Sequence, residues 1–94
     1  MKISKVKEML SGDTATLVDL NDWAVNTVRE YAHANNYNPV SILTEEGQRI
    51  VADRLNLDGY RKISRRGSYI RLNRKIRVAV YAVFATRIAL ADRW

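Results

Sequence analysis

Cysteine is absent from this chain of 94 residues, so disulfide bonds and thiolate metal sites are excluded. The longest uninterrupted apolar run, residues 78–85, is far shorter than the roughly 20 residues that a membrane-spanning helix needs. No apolar segment follows the lysines near the N-terminus, so we expect no secretory signal peptide. These absences predict a cytoplasmic protein that does not enter a membrane.

The residue patterns of common enzyme sites are also missing. The single histidine, His33, lies in a segment rich in Ala and Asn, and no acid or nucleophile accompanies it in a recognisable pattern. There is no Gly-rich phosphate loop and no cluster of metal ligands in the sequence. We therefore predict no enzyme activity, no cofactor and no metal ion. A nuclease with scattered Asp and Arg residues stays open, because such sites have no fixed spacing.

Acidic residues are almost missing from the second part of the chain. Residues 1–58 carry six basic and nine acidic residues, a net charge of −3, whereas residues 59–94 carry ten basic and one acidic residue, a net charge of +9. A split of this size predicts one neutral or acidic face and one basic face. A folded basic face is typical of proteins that bind an anionic partner.

The stretch 59–77 concentrates this positive charge. Eight of its nineteen residues are Lys or Arg, and none is acidic. Apolar residues are threaded between the charges, whereas a disordered basic tail would have low hydrophobicity. We therefore predict a folded surface that binds nucleic acid, double-stranded DNA above all. The predicted contact residues are Tyr60, Arg61, Lys62, Arg65, Arg66, Arg71, Arg74, Lys75 and Arg77.

Apolar spacing predicts a single, mostly α-helical domain over residues 1–94 with four to five helices. A short helix is expected over 2–11, with Gly12 at its C-terminal end. A long amphipathic helix is expected over 17–35, capped by Thr16 or Asp19. The Asn-rich segment before Pro39 predicts a loop.

The third helix is expected to begin at Thr44, which is a good N-cap residue, and to reach about residue 56. The segment 60–72 has two interpretations, a short β-hairpin or a short helix, because it is too short for periodicity to separate them. The segment 73–94 fits a strand or a helix. Its five alanines favour a helix, which we expect to be the central core helix packed on 17–35.

Residues 51–66 resemble helix-turn-helix DNA-binding proteins over about twenty residues. In that family a small residue in the first helix is followed four residues later by Gly or Asn at the turn, then by an apolar residue and a polar cap. Ala52, Asn56, Leu57 and Asp58 occupy those places. The family has an apolar residue five positions after Leu57, where this chain has Lys62 and the apolar Ile63 comes one later. Gly59 is a second departure from the pattern.

The resemblance implies that the second helix of the motif lies in the major groove of DNA. Arginine can donate hydrogen bonds to the O6 and N7 atoms of guanine, and the remaining basic side chains can bind phosphates. In the hairpin interpretation, residues 65–67 form the tip of a wing, and the same side chains would contact the same polyanion. The residues placed at DNA are Tyr60, Arg61, Lys62, Arg65 and Arg66.

Two functions follow from these observations. The first is a small DNA-binding regulator or accessory factor, with a homodimer formed through Trp23, Trp94 or the helix at 2–11. The second is a phage- or plasmid-type modulator that inhibits a nucleic-acid-processing protein by docking the same basic face on an acidic protein surface. A purely structural role is also open for Arg71, Arg74 and Arg77, which could cover the core or pair with acids of 1–58.

Overall fold

The computed structural model describes residues 1–47 and 73–92. These residues are mostly helical and contain no β-strand, which confirms the mostly α-helical part of the predicted fold class. The predicted hairpin or short helix at 60–72, the helix-turn-helix resemblance at 51–66 and the end of the third helix near residue 56 lie outside the described residues.

The described part of the chain folds into four α-helices and one π-helical turn. The π-helical turn follows the short helix α3 directly. The elements in chain order are α1 (Ile3–Met9), α2 (Thr14–Ala34), α3 (Pro39–Ser41), the π-helical turn (Ile42–Glu46) and α4 (Arg74–Ala91).

Helix α2 begins three residues before the expected start at Leu17. The side chain of Asp13 accepts a hydrogen bond from the Thr16 backbone N–H at 2.8 Å and caps the helix. The predicted caps, Thr16 and Asp19, are therefore wrong. The first turn of α2 contains no large apolar residue, so the apolar pattern alone could not locate it.

The end of α1 also differs from the expectation. Leu10, in a right-handed helical conformation, ends the helix, and the Gly12 N–H donates to the Met9 carbonyl at 3.0 Å. Gly12 is therefore not the C-cap that the sequence predicted, and it does not have the positive φ that is common for glycine at a helix end. Two hydrogen-bonded turns at residues 10–12 complete the helix end instead.

Helix α3 starts at Pro39, five residues before the expected cap at Thr44. The Asn38 side chain accepts a hydrogen bond from the Val40 N–H at 2.9 Å, and Pro39 is the first helical residue. Proline suits that position because its missing N–H has no partner there in any helix. Thr44 lies inside the π-helical turn, so the prediction that it caps a helix is wrong.

Helix α4 confirms the helical interpretation of 73–94. The Asn73 side chain caps it by accepting from the Ile76 N–H at 2.9 Å. The helix packs against α2, as predicted, and this contact is the most extensive in the described structure. The buried residues of α2 are Leu17, Leu20, Ala24, Val28 and Ala32. Those of α4 are Ile76, Val78, Ala79, Val80, Ala82, Val83 and Thr86.

Thr86 is fully buried between these two helices. Its Oγ1 lies 2.7 Å from the Ala82 carbonyl and 3.1 Å from Oδ1 of Asn21 on α2. The hydroxyl has one hydrogen to donate, and the shorter distance favours the Ala82 carbonyl. The buried hydroxyl is therefore satisfied within its own helix, which removes the cost of burying an unpaired polar group.

Gly47 allows the end of the π-helical turn to lie directly on α4. It is buried in a right-handed helical conformation, and a Cβ at this position would overlap the ring of Phe84. The absence of a side chain therefore permits this close contact, whereas the backbone conformation would suit any residue.

Gly47→Ala should lower the free energy of unfolding. Alanine gains about 1 kcal/mol in helix propensity, but overpacking of this kind typically costs about 1–3 kcal/mol, and here the new carbon coincides with the Phe84 ring. Urea unfolding followed by circular dichroism measures the change. In a Phe84→Leu background, Gly47→Ala should lower the free energy of unfolding by a smaller amount. Equal or greater stability of Gly47→Ala in the parent background would contradict this packing.

Candidate nucleic-acid interface

The structure describes three of the nine residues predicted to contact nucleic acid. Arg74, Lys75 and Arg77 lie in the first turn of α4, and all three are exposed. The other six lie outside the described residues: Tyr60, Arg61, Lys62, Arg65, Arg66 and Arg71. The described part of the candidate interface is therefore the start of α4 and what packs beside it.

The position of these cations is electrostatically unfavourable for the isolated helix. The N-terminal end of an α-helix carries a partial positive charge, so acidic side chains are favoured there and basic ones are not. The first turn of α4 contains no acid, and its cap, Asn73, is neutral. An anion bound beside this turn would be attracted both by the side chains and by the helix end.

Helix α1 lies beside the start of α4 and encloses a groove with it. One section of this groove has a volume of about 550 Å³, and the adjoining section has about 380 Å³. Ile3, Arg74 and Val78 line both sections, so the two adjoin each other at these residues. The α1–α4 groove is defined by Met1, Lys2, Ile3, Ser4, Lys7, Arg74, Lys75, Arg77, Val78 and Tyr81.

Among the described residues, the charged side chains that line the groove are all basic. They are two lysines from α1 and its N-cap and three cations from α4. Within the described part of the chain, no carboxylate lies at salt-bridge distance from Lys2, Lys7, Arg74 or Lys75. Four positive charges therefore surround one groove without compensation from the described carboxylates, with Ile3 and Val78 as apolar lining between them.

Arg77 differs from the other groove cations because it is paired. Its Nε donates to Oε1 of Glu46 at 3.2 Å. The Glu46 side chain is only 4% exposed, whereas that of Arg77 is 56% exposed. Arg77 therefore has a structural role, which was one of the possibilities left open by the sequence, and it also presents part of its side chain to the groove.

Lys2 and Lys7 were not among the predicted contact residues. The charge count placed them in the net acidic segment 1–58, which concealed the local excess of lysine around α1. The available signal was that Lys2 and Lys7 lie in the segment 2–11, which the sequence predicts as a short helix and in which Glu8 is the one acidic residue. Only the packing of α1 beside α4 joins these lysines to the predicted surface.

Comparison with protein-family models, with curated proteins and with solved structures finds no match to this chain. Across residues 1–47 and 73–92, none of the helices combines the length and the apolar character needed to cross a membrane.

Removal of the Arg77 side chain should destabilise the fold through Glu46. Arg77→Met takes an ion-pair partner from a buried carboxylate, which typically costs about 1–3 kcal/mol. Thermal and urea unfolding measure the decrease in the free energy of unfolding. Arg74→Met, at an exposed and unpaired neighbouring position, is the matched control and should change stability by no more than about 0.5 kcal/mol.

The same substitution in a Glu46→Gln background separates the ion pair from simple packing. In that background Arg77→Met should lower the free energy of unfolding clearly less, because the side chain at position 46 no longer carries a buried negative charge. Equal losses in the two backgrounds would show that the contact between Arg77 and Glu46 contributes no coupling energy.

Proposed function

We propose that this protein binds nucleic acid, with duplex DNA as the favoured form, through a basic surface made of the stretch 59–77 and the α1–α4 groove. The observation that carries the proposal is the convergence of cations from two distant parts of the sequence. Lys2 and Lys7 come from the start of the chain, and Arg74 and Lys75 follow more than sixty residues later, yet all four line one groove.

Phosphate binding explains why these charges are kept close together. Repulsion between like charges destabilises a folded protein unless counter-charges relieve it. Duplex DNA carries one negative charge per about 1.7 Å of helix axis, so it can meet several cations of a small surface at once. Release of condensed counterions would then supply much of the binding free energy and make it steeply dependent on salt.

The biological class that we favour is a DNA-binding regulator or accessory factor. It rests on the resemblance of residues 51–66 to helix-turn-helix proteins, in which base edges are read by the second helix of the motif. The groove cations would contact the phosphate backbone, and such contacts set the orientation of a protein on DNA. Small DNA-binding domains commonly bind as dimers, so a dimer on DNA belongs to this proposal.

The apolar part of the groove favours a second candidate. Ile3, Val78 and Tyr81 line it, and phosphates need no such residues. An acidic segment of a nucleic-acid-processing protein would use both the cations and the apolar lining, and the chain would then modulate that protein. The charge of the partner is the same in both proposals, so direct binding of nucleic acid distinguishes them.

Fluorescence anisotropy with labelled random-sequence duplex and single strand, at low and at near-physiological salt, tests the proposal. The parent should bind duplex with micromolar or tighter affinity at low salt and lose affinity steeply as salt rises. The double variant Arg74→Glu, Lys75→Glu should bind at least tenfold more weakly, because it reverses two unpaired groove cations.

The control variant is Arg29→Glu, Arg87→Glu, which changes the net charge equally at two exposed positions that line neither section of the groove. Circular dichroism confirms that each variant is folded. If the parent fails to bind either nucleic acid at low salt, the proposal is wrong. If the two variants lose affinity equally, the binding reflects net charge and the groove has no special part in it.

A further inference from the structure

We infer that α1 is part of the nucleic-acid interface and that Lys2 and Lys7 contact backbone phosphates of the same ligand as Arg74 and Lys75. This inference rests on the proposed function and adds residues that the basic stretch 59–77 does not contain. It also defines the ligand as an extended chain of phosphates, because the cations are spread over two connected sections of a groove.

The arrangement of the cations along the groove supports this assignment. Lys2 lines the same section as Lys75, and Lys7 lines the same section as Arg77, while Arg74 lines both. A strand that follows the groove therefore meets one lysine of the α1 segment and at least one cation of α4 in each section.

The third lysine of the α1 segment, Lys5, does not line the groove. Its side chain lies 3.8 Å from a carboxylate oxygen of Glu8. Lys2 and Lys7 line the groove, and no carboxylate in the described ranges lies at salt-bridge distance from them. The uncompensated lysines of the α1 segment are thus the ones that lie beside the α4 cations, which is the distribution expected for an anion-binding groove.

A second consequence of phosphate binding in the groove concerns the stability of α1. This helix has seven residues, no side-chain hydrogen bond at its N-cap, and Val6 as its only buried residue. Helices this short have little stability of their own and depend on tertiary packing. A phosphate strand that bridges α1 and α4 would add contacts across the groove, so backbone amides of α1 should exchange hydrogen more slowly in the complex.

The test compares two variants that each remove two exposed positive charges. Lys2→Gln, Lys7→Gln changes the groove, and Lys5→Gln, Arg29→Gln is the matched control. Duplex binding is measured over a range of salt concentrations. The slope of log affinity against log salt should become shallower by about 2 for the groove variant, since each neutralised phosphate contributes about 0.9. The control should keep the slope of the parent.

Two further measurements complete the test. Lys2→Arg, Lys7→Arg should keep the parent slope, because the charges remain. Amide exchange of residues 3–9 should slow when duplex is added to the parent and slow less for the groove variant. If the parent binds duplex and the groove variant keeps the slope of the control, the inference about α1 is wrong, while duplex binding itself stands and rests on the cations of α4 and of the stretch 59–77. If the parent does not bind duplex, both are wrong.

Discussion

The packing of α4 on α2 is the interaction on which the rest of the described structure depends. Fully buried aliphatic side chains from both helices form its centre, and each contributes about 1.5–3 kcal/mol relative to an exposed position. Alanines at positions 24, 32, 79 and 82 are also fully buried in this core. This contact holds α4 in place, so that its first turn can carry three exposed cations that helix electrostatics alone would disfavour.

The remaining elements lie around those cations, and one of them supplies a carboxylate that pairs with Arg77. The π-helical turn places the carboxylate of Glu46 against Arg77, and Gly47 lets the backbone lie on the ring of Phe84. Helix α1 brings Lys2 and Lys7 to the other side of the groove. The fold therefore pairs one groove cation internally and leaves four others without a partner among the described carboxylates. This group of cations around one groove is the physical link between the structure and the proposed polyanion.

The sequence predicted the helical elements well where composition and periodicity agree. The alanines of 79–91 distinguished helix from strand, and the apolar stripe of 17–35 identified α2. The starts of α2 and α3 were predicted too late, at Leu17 and Thr44, whereas Asp13 and Asn38 cap these helices earlier in the chain. At α3 the loop predicted before Pro39 concealed the start, since a proline can also be the first residue of a helix. The groove could not be predicted, since the pairing of Arg77 with Glu46 and the approach of α1 to α4 join residues that are distant in sequence. The assignment of residues 60–72 stays a prediction.

Occupation of the α1–α4 groove by a nucleic acid can be observed in two-dimensional NMR spectra of the labelled protein, recorded during titration with a short duplex at low salt. We expect amide signals of residues 2–7 and 74–78 to shift early and together, and signals on the exposed side of α2, such as Arg29 and Glu30, to stay in place. Shifts centred on α2 with none around the groove would contradict this occupation.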